Sequence, residues 1–357
     1  MVKTRLNPTS TPSPLHSPAN SIWRSLSLWF ASLWRFARPH TIIGTVLSVG
    51  ALGVMALALP ADDGATALSS TLSSGWPLLV AIPMAFLAAL IPSLGANVYI
   101  VGLNQLTDIE IDRINKPRLP LASGAFSVPT GRRIVLFMGS LALLLSIVQG
   151  PILFATVALS MAIGTIYSLP PLRLKRFPFW AALCIFGVRG VIVNLGFFLH
   201  FRQRFFLTDP PSQTLSAWQR MAVGVPIPPE VWALTVFVIL FAFAIAIFKD
   251  IPDLEGDRQF HVRTLTVRVG PAFVFRLSQW VLTSCYVFLI GLVLFGYLPS
   301  VHPAFLVGTH SALLGLMWWR SRRVNLQQKS QVKGFYQFIW KLFFCEYLLF
   351  PLACLLH

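Results

Sequence analysis

Charge is what this sequence has least of. Only 11% of its 357 residues are Asp, Glu, Lys or Arg, and only 12 residues are acidic. A soluble domain of ordinary composition carries about 25% charged residues. The 55% hydrophobic content therefore excludes a water-exposed globule and indicates a polytopic membrane protein. Cysteine is also sparse. Cys184, Cys285, Cys345 and Cys354 stand singly in apolar runs, with no CxxC or Cys/His spacing, so neither a disulfide framework nor a zinc site is indicated. The Ser-, Thr- and Pro-rich start lacks the apolar stretch of a secretory signal. Residues 1–21 read as a disordered tail, with a short organelle transit peptide as the alternative. The formal net charge of +16 would suit nucleic acid, but in so apolar a chain a bias of loop charge explains it, and no nucleic acid is expected.

What is present is a series of apolar runs. Before them, Ile22, Leu26, Trp29, Phe30, Leu33 and Phe36 recur at helical spacing with Arg24 and Arg35 between, which predicts an interfacial amphipathic helix over 22–37. The remainder, 38–357, reads as one transmembrane domain. Its runs are Thr41–Leu59, Leu78–Val101, Ile134–Val148, Pro151–Tyr167, Phe179–Phe201, Val231–Phe248, Ala272–Tyr297, His302–Trp319 and Phe335–Leu356. A span needs roughly 17 to 25 residues, so the third must borrow from its flanks. The expected fold is all-α: a bundle of about nine transmembrane helices around a central cavity.

Loop charge orients the bundle. With the N-terminus inside, the tail and the loops after spans two, four, six and eight hold most of the Lys and Arg. The opposite loops hold only Arg202, Arg204 and Arg220.

Two acidic stretches close the second and sixth runs, so both fall on the same, cytosolic-type face. In the first, Asn104, Asp108 and Asp112 stand four apart, which puts them on one helical face. In the second, Asp250, Asp253 and Asp257 repeat the pattern. Asp253 follows Asp108, and Asp257 follows Asp112, by the same 145 residues, which suggests a parallel repeat of two four-helix units. Opposed carboxylates at a membrane face suit Mg²⁺, which takes oxygen ligands and is usually completed by substrate phosphates. Arg38, Lys116, Arg118, Arg173, Lys175, Arg176 and Lys249 crowd the same face. Carboxylates, metal and cations together can hold a diphosphate and stabilise it as a leaving group, and an apolar bundle can hold its hydrocarbon tail. A solvated helix end is the bland alternative for either acidic pair alone, and the positive-inside rule alone would supply the basic residues.

Arg189 lies about ten residues into the fifth span. At about 1.5 Å per residue it is deep in the membrane, facing a cavity or a carboxylate partner. Asn194 shares that cavity or bonds a neighbouring helix. His40, at a span entrance, and Tyr167-Ser168, at a span end, read on physics alone as interfacial residues.

The stretch NQLTDIEIDRINKP resembles the first acidic motif of the UbiA superfamily of intramembrane prenyltransferases, and KDIPDLEGDR resembles the second. RPHTIIGT, INKPRLPLASG, YSLPPLRLKRFP and CIFGVRGVIVNLGFFLHF bring the resemblance closer to the homogentisate prenyltransferases of tocopherol biosynthesis. It covers the chain from about residue 35 to the end. The resemblance implies Mg²⁺ held by Asp108, Asp112, Asp253 and Asp257, the catalytic carboxylates, with Asn104 and Asp250 supporting. It implies diphosphate contacts from Arg38, Lys116, Arg118, Tyr167, Ser168, Arg173 and Lys175; depth and charge, rather than the resemblance, make Arg189 the candidate for the acceptor's carboxylate, with His40 and Asn194 as the other acceptor-binding candidates. Its substrates would be a prenyl diphosphate (phytyl or geranylgeranyl) and homogentisate, which loses its carboxyl group as CO₂. Plant members carry a longer leader, so a cyanobacterial-type inner or thylakoid membrane is expected, a plastid membrane being the alternative. The loop 202–230 departs from the pattern and reads as an outer-face cap without an assigned role.

Chlorophyll synthase and 4-hydroxybenzoate or naphthoate prenyltransferases share the acidic motifs and are separated by acceptor. A divalent-cation or lipid transporter is the alternative of another class. Transporters place ion sites near the midplane on broken helices, whereas these carboxylates close spans.

Overall fold

The structure, a computed structural model, describes residues 18–60, 76–206, 226–260, 262 and 264–357. Residues 1–17, most of the expected tail, and 207–225, most of the expected outer cap, lie outside the described residues.

The described residues are all-helical. Helix α1 (Pro18–Phe36) leads into α2 (Pro39–Ala58) and α3 (Trp76–Thr107), then the short α4 (Ile109–Asn115). Helices α5 (Val128–Gln149) and α6 (Pro151–Ser168) form a hairpin, followed by α7 (Pro178–Phe186), a π-helical segment (Gly187–Ile192) and α8 (Val193–Phe206). The second half holds α9 (Pro229–Phe248), α10 (Asp250–Gln259), α11 (Leu265–Val269), α12 (Pro271–Leu294), α13 (Pro303–Ser321) and α14 (Lys329–Leu355).

Eight stretches among the described residues are long and apolar enough to cross a membrane, making this a multi-pass membrane protein. They answer to eight of the nine apolar runs. The third run does borrow from its flanks: α5 starts at Val128, where Ser127 Oγ accepts the Thr130 N–H and caps the first turn. The eighth run is present as α13, a helix of 19 residues that falls outside the eight and packs between α12 and α14. Gly150, at φ 109°, turns the chain between α5 and α6, and Pro151 starts α6 where no amide hydrogen is needed.

The core lies on α9, the most deeply buried of the spans. Phe237, Phe241 and Phe248 pack against Tyr286 of α12 and Phe335 and Phe343 of α14. Outward faces stay apolar, as at Leu136 and Val148, because lipid rather than water is the solvent there. Helix α1 exposes Leu28, Trp29, Phe30 and Trp34, while its last residue, Phe36, is buried against Phe126, and its carbonyl accepts a hydrogen bond from Gln105 Nε2 at 2.7 Å.

One expectation needs correcting. The first acidic motif is not one continuous helical stripe. Helix α3 stops at Thr107, whose hydroxyl bonds back to the Asn104 carbonyl at 2.9 Å. Asp108 leaves helical geometry (φ −122°, ψ 19°), and α4 restarts from its carbonyl, which accepts the Asp112 N–H at 2.8 Å. The second motif is also its own short helix, α10; Pro252 is tolerated there because it lies in the first turn.

The charge bias makes a topology prediction. In a cysteine-free background, cysteines placed at exposed Ser123 and Gln328 label from the cytosolic-type face, and one at Pro299 labels from the other. Labelling of Ser123 and Pro299 from one side would overturn the orientation.

Candidate active site

The two acidic motifs meet because α4 packs against α10. The approach is close: a Cβ at Gly256 would stand 2.3 Å from Asn115 Oδ1, inside any real contact distance. Glycine there lets the short helices touch. Lys116, the residue after α4, then bridges the motifs, with Nζ 2.8 Å from Asp253 Oδ2 and 3.7 Å from Asp112 Oδ1.

Asp108 and Asn104 of the first motif meet cations too. Asp108 Oδ1 lies 2.8 Å from Lys175 Nζ and 3.2 Å from Arg173 Nη2. Lys175 also donates to Asn104 Oδ1 and Thr107 Oγ1. Burial, followed by the repulsion of Asp250 and Asp253, pushes the Asp257 carboxyl up to about 7. Burial pushes Asp250 up to about 6 and raises Asp112. Burial likewise lowers Lys175 to about 8, against the pull of Asp108.

Among the described residues no three carboxylates converge closely enough to hold an ion by themselves. The donor set nevertheless fits a hard divalent cation that brings further ligands with it. Lys116 already stands as a cation between carboxylates of both motifs. Asp112 Oδ2 and Asn115 Oδ1 are buried oxygens with no hydrogen-bond partner among the described residues, a costly state that a cation would relieve.

The site is also short of an anion. The buried Nε atoms of Arg38 and Arg173 have no partner among the described residues. Both arginines hold positive φ, 53° and 38°, a conformation that side-chain-bearing residues rarely adopt and that recurs at ligand clamps.

These groups rim a cavity of about 1970 Å³. That is about twice the upper end of ordinary ligand pockets, so two substrates can share it. Arg38, Asn104, Asp108, Asp112, Lys116, Arg118, Tyr167, Arg173, Lys175, Asp250, Asp253 and Asp257 all line it, as do His40 and Arg189. Ser168 and Asn194 do not. Ser168 is fully buried behind the wall. Asn194 is buried and accepts from Tyr347 at 2.8 Å, and it is Tyr347 that reaches the cavity. Lys249, Tyr336 and Trp340 also line the cavity, and the motif spacing did not single out the last two. Tyr336 and Trp340 stand four apart on α14, which could have marked them as one face; in an aromatic-rich membrane helix that signal is weak.

Arg189 enters from the π-helical segment, a widening of the helix that is frequent at functional sites. Its guanidinium lies 5.1 Å from the Trp340 ring centre and 5.5 Å from that of Phe343. Among the described residues no carboxylate forms an ion pair with it; Glu346, on the same helix as Trp340, pairs instead with His310. His40 packs on the other side of the cluster, 4.8 Å from the Trp340 ring.

Residues 54–342 match the UbiA prenyltransferase family. The homogentisate phytyltransferase of Synechocystis sp. is 47% identical over 326 residues, covering 90% of this chain and 95% of that one. Homogentisate phytyltransferase 1 of Arabidopsis thaliana, a chloroplastic protein, is 37% identical over 354 residues, covering 97% and 81%. A solved structure of a UbiA homolog from Archaeoglobus fulgidus bound to GPP and Mg²⁺ superposes with a TM-score of 0.56 at 14% identity, covering 91% of this chain and 100% of that one.

Proposed function

The chain belongs to the UbiA prenyltransferase family, and from that premise we propose that it transfers a phytyl group from phytyl diphosphate to homogentisate, releasing diphosphate and CO₂. It is a homogentisate prenyltransferase by its relatives; the phytyl tail, the residue roles and the cyanobacterial-type membrane, with α1 lying along its surface, are our reading. One observation carries it: a single cavity holds a carboxylate-and-cation rim at one end and an unpaired arginine among aromatic rings further in.

Asp108, Asp112, Asp253 and Asp257, supported by Asn104 and Asp250, would hold Mg²⁺, the ion named with the Archaeoglobus homolog. Bound there, Mg²⁺ would neutralise the diphosphate and favour its departure. The protein's own residues do the rest. Arg38, Lys116, Arg173 and Lys175 give up carboxylate contacts or fill empty donor positions to bind diphosphate oxygens, with Tyr167 and Lys249 beside them and exposed Arg118 at the mouth. Apolar walls exclude water from the allylic carbocation. Arg189 takes the homogentisate carboxylate and His40 flanks it through Trp340, turning the ring toward the cation. As the allylic carbon–oxygen bond to diphosphate breaks, ring attack forms the carbon–carbon bond and the attacked ring carbon gives up its proton to restore the aromatic ring. The bond between the side-chain CH₂ and the carboxylate breaks, CO₂ leaves, and the electron pair left on that carbon takes up a proton to give a methyl group.

The test is direct. Purified protein with Mg²⁺, homogentisate and separate phytyl, geranylgeranyl and solanesyl diphosphates should give a phytylated, decarboxylated product by mass, with phytyl diphosphate the best donor. Faster turnover with another tail would overturn the phytyl assignment.

Gly256→Ala tests the helix contact beneath the rim. The new Cβ pushes Asn115 and α4 away from α10 and loosens the Lys116–Asp253 bridge. Relieving that contact takes a shift of about 1 Å, and misplacement on that scale can cost about 10²-fold, so kcat should fall roughly 10²-fold. Gly124→Ala, where a Cβ meets nothing but φ is +78°, is the control: strained, yet remote from the α4–α10 contact. Equal loss in both would show general destabilisation.

A further inference from the structure

The polar groups of the cavity that Arg189 lines include one whose orientation the protein fixes. Asn97 lies on α3 seven residues before Asn104, hence on the same face and two turns away from the rim, about 10 Å at about 1.5 Å per residue. Both line the cavity. Asn97 Nδ2 donates to Thr41 Oγ1 at 3.2 Å. Thr41 has one hydroxyl proton, and its oxygen lies 2.8 Å from the Arg38 carbonyl and 3.1 Å from the Ala37 carbonyl. A carbonyl only accepts, so that proton is committed to the backbone just before α2 and the oxygen must accept from Asn97. The amide cannot be reversed without setting oxygen against oxygen. Its Oδ1, bonded to nothing among the described residues, is therefore a fixed acceptor at the cavity wall.

The same turn of α2 meets Arg189. Gly44 is three residues after Thr41, and a Cβ placed there would stand 3.1 Å from Arg189 Nη1. The turn Thr41–Gly44 thus carries the Asn97 acceptor at one end and the guanidinium at the other. A ligand that answers both needs an anionic group and a hydroxyl donor on one rigid frame.

We infer that Asn97, oriented by Thr41, is an acceptor-binding residue that takes a hydrogen bond from a ring hydroxyl of the aromatic substrate whose carboxylate lies on Arg189. The inference rests on the homogentisate reading above and deepens it: Arg189 selects the carboxylate arm and Asn97 selects the hydroxylation pattern. Thr41 is a positioning residue that acts through Asn97.

The test compares homogentisate with 2-hydroxyphenylacetate and 3-hydroxyphenylacetate, each missing one ring hydroxyl, in the wild type, Asn97→Leu and Thr41→Val, all in the full-length protein with Mg²⁺. Measured are the homogentisate KM, the inhibition constants of the analogues and the KM of the prenyl diphosphate. A neutral hydrogen bond corresponds to roughly 2- to 10-fold in affinity. In Asn97→Leu the homogentisate KM should rise by about that factor. The analogue lacking the recognised hydroxyl should bind as it does to wild type, so its disadvantage disappears, and the donor KM should not move. Thr41→Val, which keeps every Asn97 atom, should shift the same ratio less. Should Asn97→Leu fail to fold, Thr41→Val decides alone: a ratio equal to the wild type's overturns the inference. A parallel loss of all three aromatic ligands also overturns it, because a reshaped wall would weaken all alike. If wild type does not turn over homogentisate, both this inference and the function it rests on fail. Turnover with an unchanged ratio sinks only the role of Asn97.

Discussion

Asp253→Asn should abolish measurable turnover, a loss of at least about 10²- to 10³-fold, while the protein still inserts and folds. That is the scale seen when one preorganised electrostatic group is removed from a reacting centre. The substitution keeps shape and removes charge. Asp253 is the carboxylate that Lys116 holds at 2.8 Å across the two motifs, so both the cation site and the α4–α10 contact lose their shared anion. Asp108→Asn should do the same from the other motif, since Asp108 anchors Lys175 and Arg173. Chelation of divalent cations should mimic both in the wild type, and Mg²⁺ should restore activity to the wild type but not to either variant. Turnover of homogentisate and prenyl diphosphate is measured beside helical circular dichroism in detergent. Full activity in excess chelator would overturn the metal assignment.

Arg189→Lys should raise the homogentisate KM about 10- to 150-fold and leave the prenyl diphosphate KM nearly unchanged. The estimate is the loss of a charge-assisted hydrogen bond, roughly 1.5 to 3 kcal/mol. Lysine keeps the charge but not the planar fork that binds a carboxylate bidentately and stacks on rings. The guanidinium at 5.1 Å from Trp340 and 5.5 Å from Phe343 is held by aromatic faces and has no carboxylate partner among the described residues, so its own counter-charge must arrive with a substrate. The two KM values are measured separately, together with a thermal melt. Movement of the prenyl diphosphate KM alone would place Arg189 in the diphosphate site. An early melt with neither KM moved would make it a structural residue.

Helix spacing brought the six motif oxygens to attention, and the structure gathers all six on one cavity rim. Spacing misjudged how they get there. The rule that i and i+4 share a face assumes an unbroken helix, and α3 ends at Thr107, where Asp108 leaves helical geometry and its N–H turns to the Gln105 carbonyl instead of continuing the ladder. The resemblance assigns Ser168 to the diphosphate, and closeness to Arg189 in sequence brings in Asn194; neither lines the cavity. A helix turns about 100° per residue, so Tyr167 faces the cavity while Ser168 faces the bundle. Asn97 escaped the sequence reading because a single amide in a membrane helix resembles any interhelical hydrogen bond.

The sequence by itself determined the solvent, the class and the family. Runs of apolar residues with most of the charge in loops can satisfy their backbone only as membrane helices, and the two acidic motifs with their basic neighbours carry the resemblance to the family that residues 54–342 match. What only the tertiary structure decided is which groups meet: Lys116 with Asp253 across 137 residues, Asn97 with Thr41 across 56, and Arg189 with Trp340 and Phe343. Those pairings depend on helix packing at glycines such as Gly256 and Gly44, on a π-helical widening and on helix rotation. Each depends on a neighbour far away in the chain, and local periodicity carries no information about that neighbour.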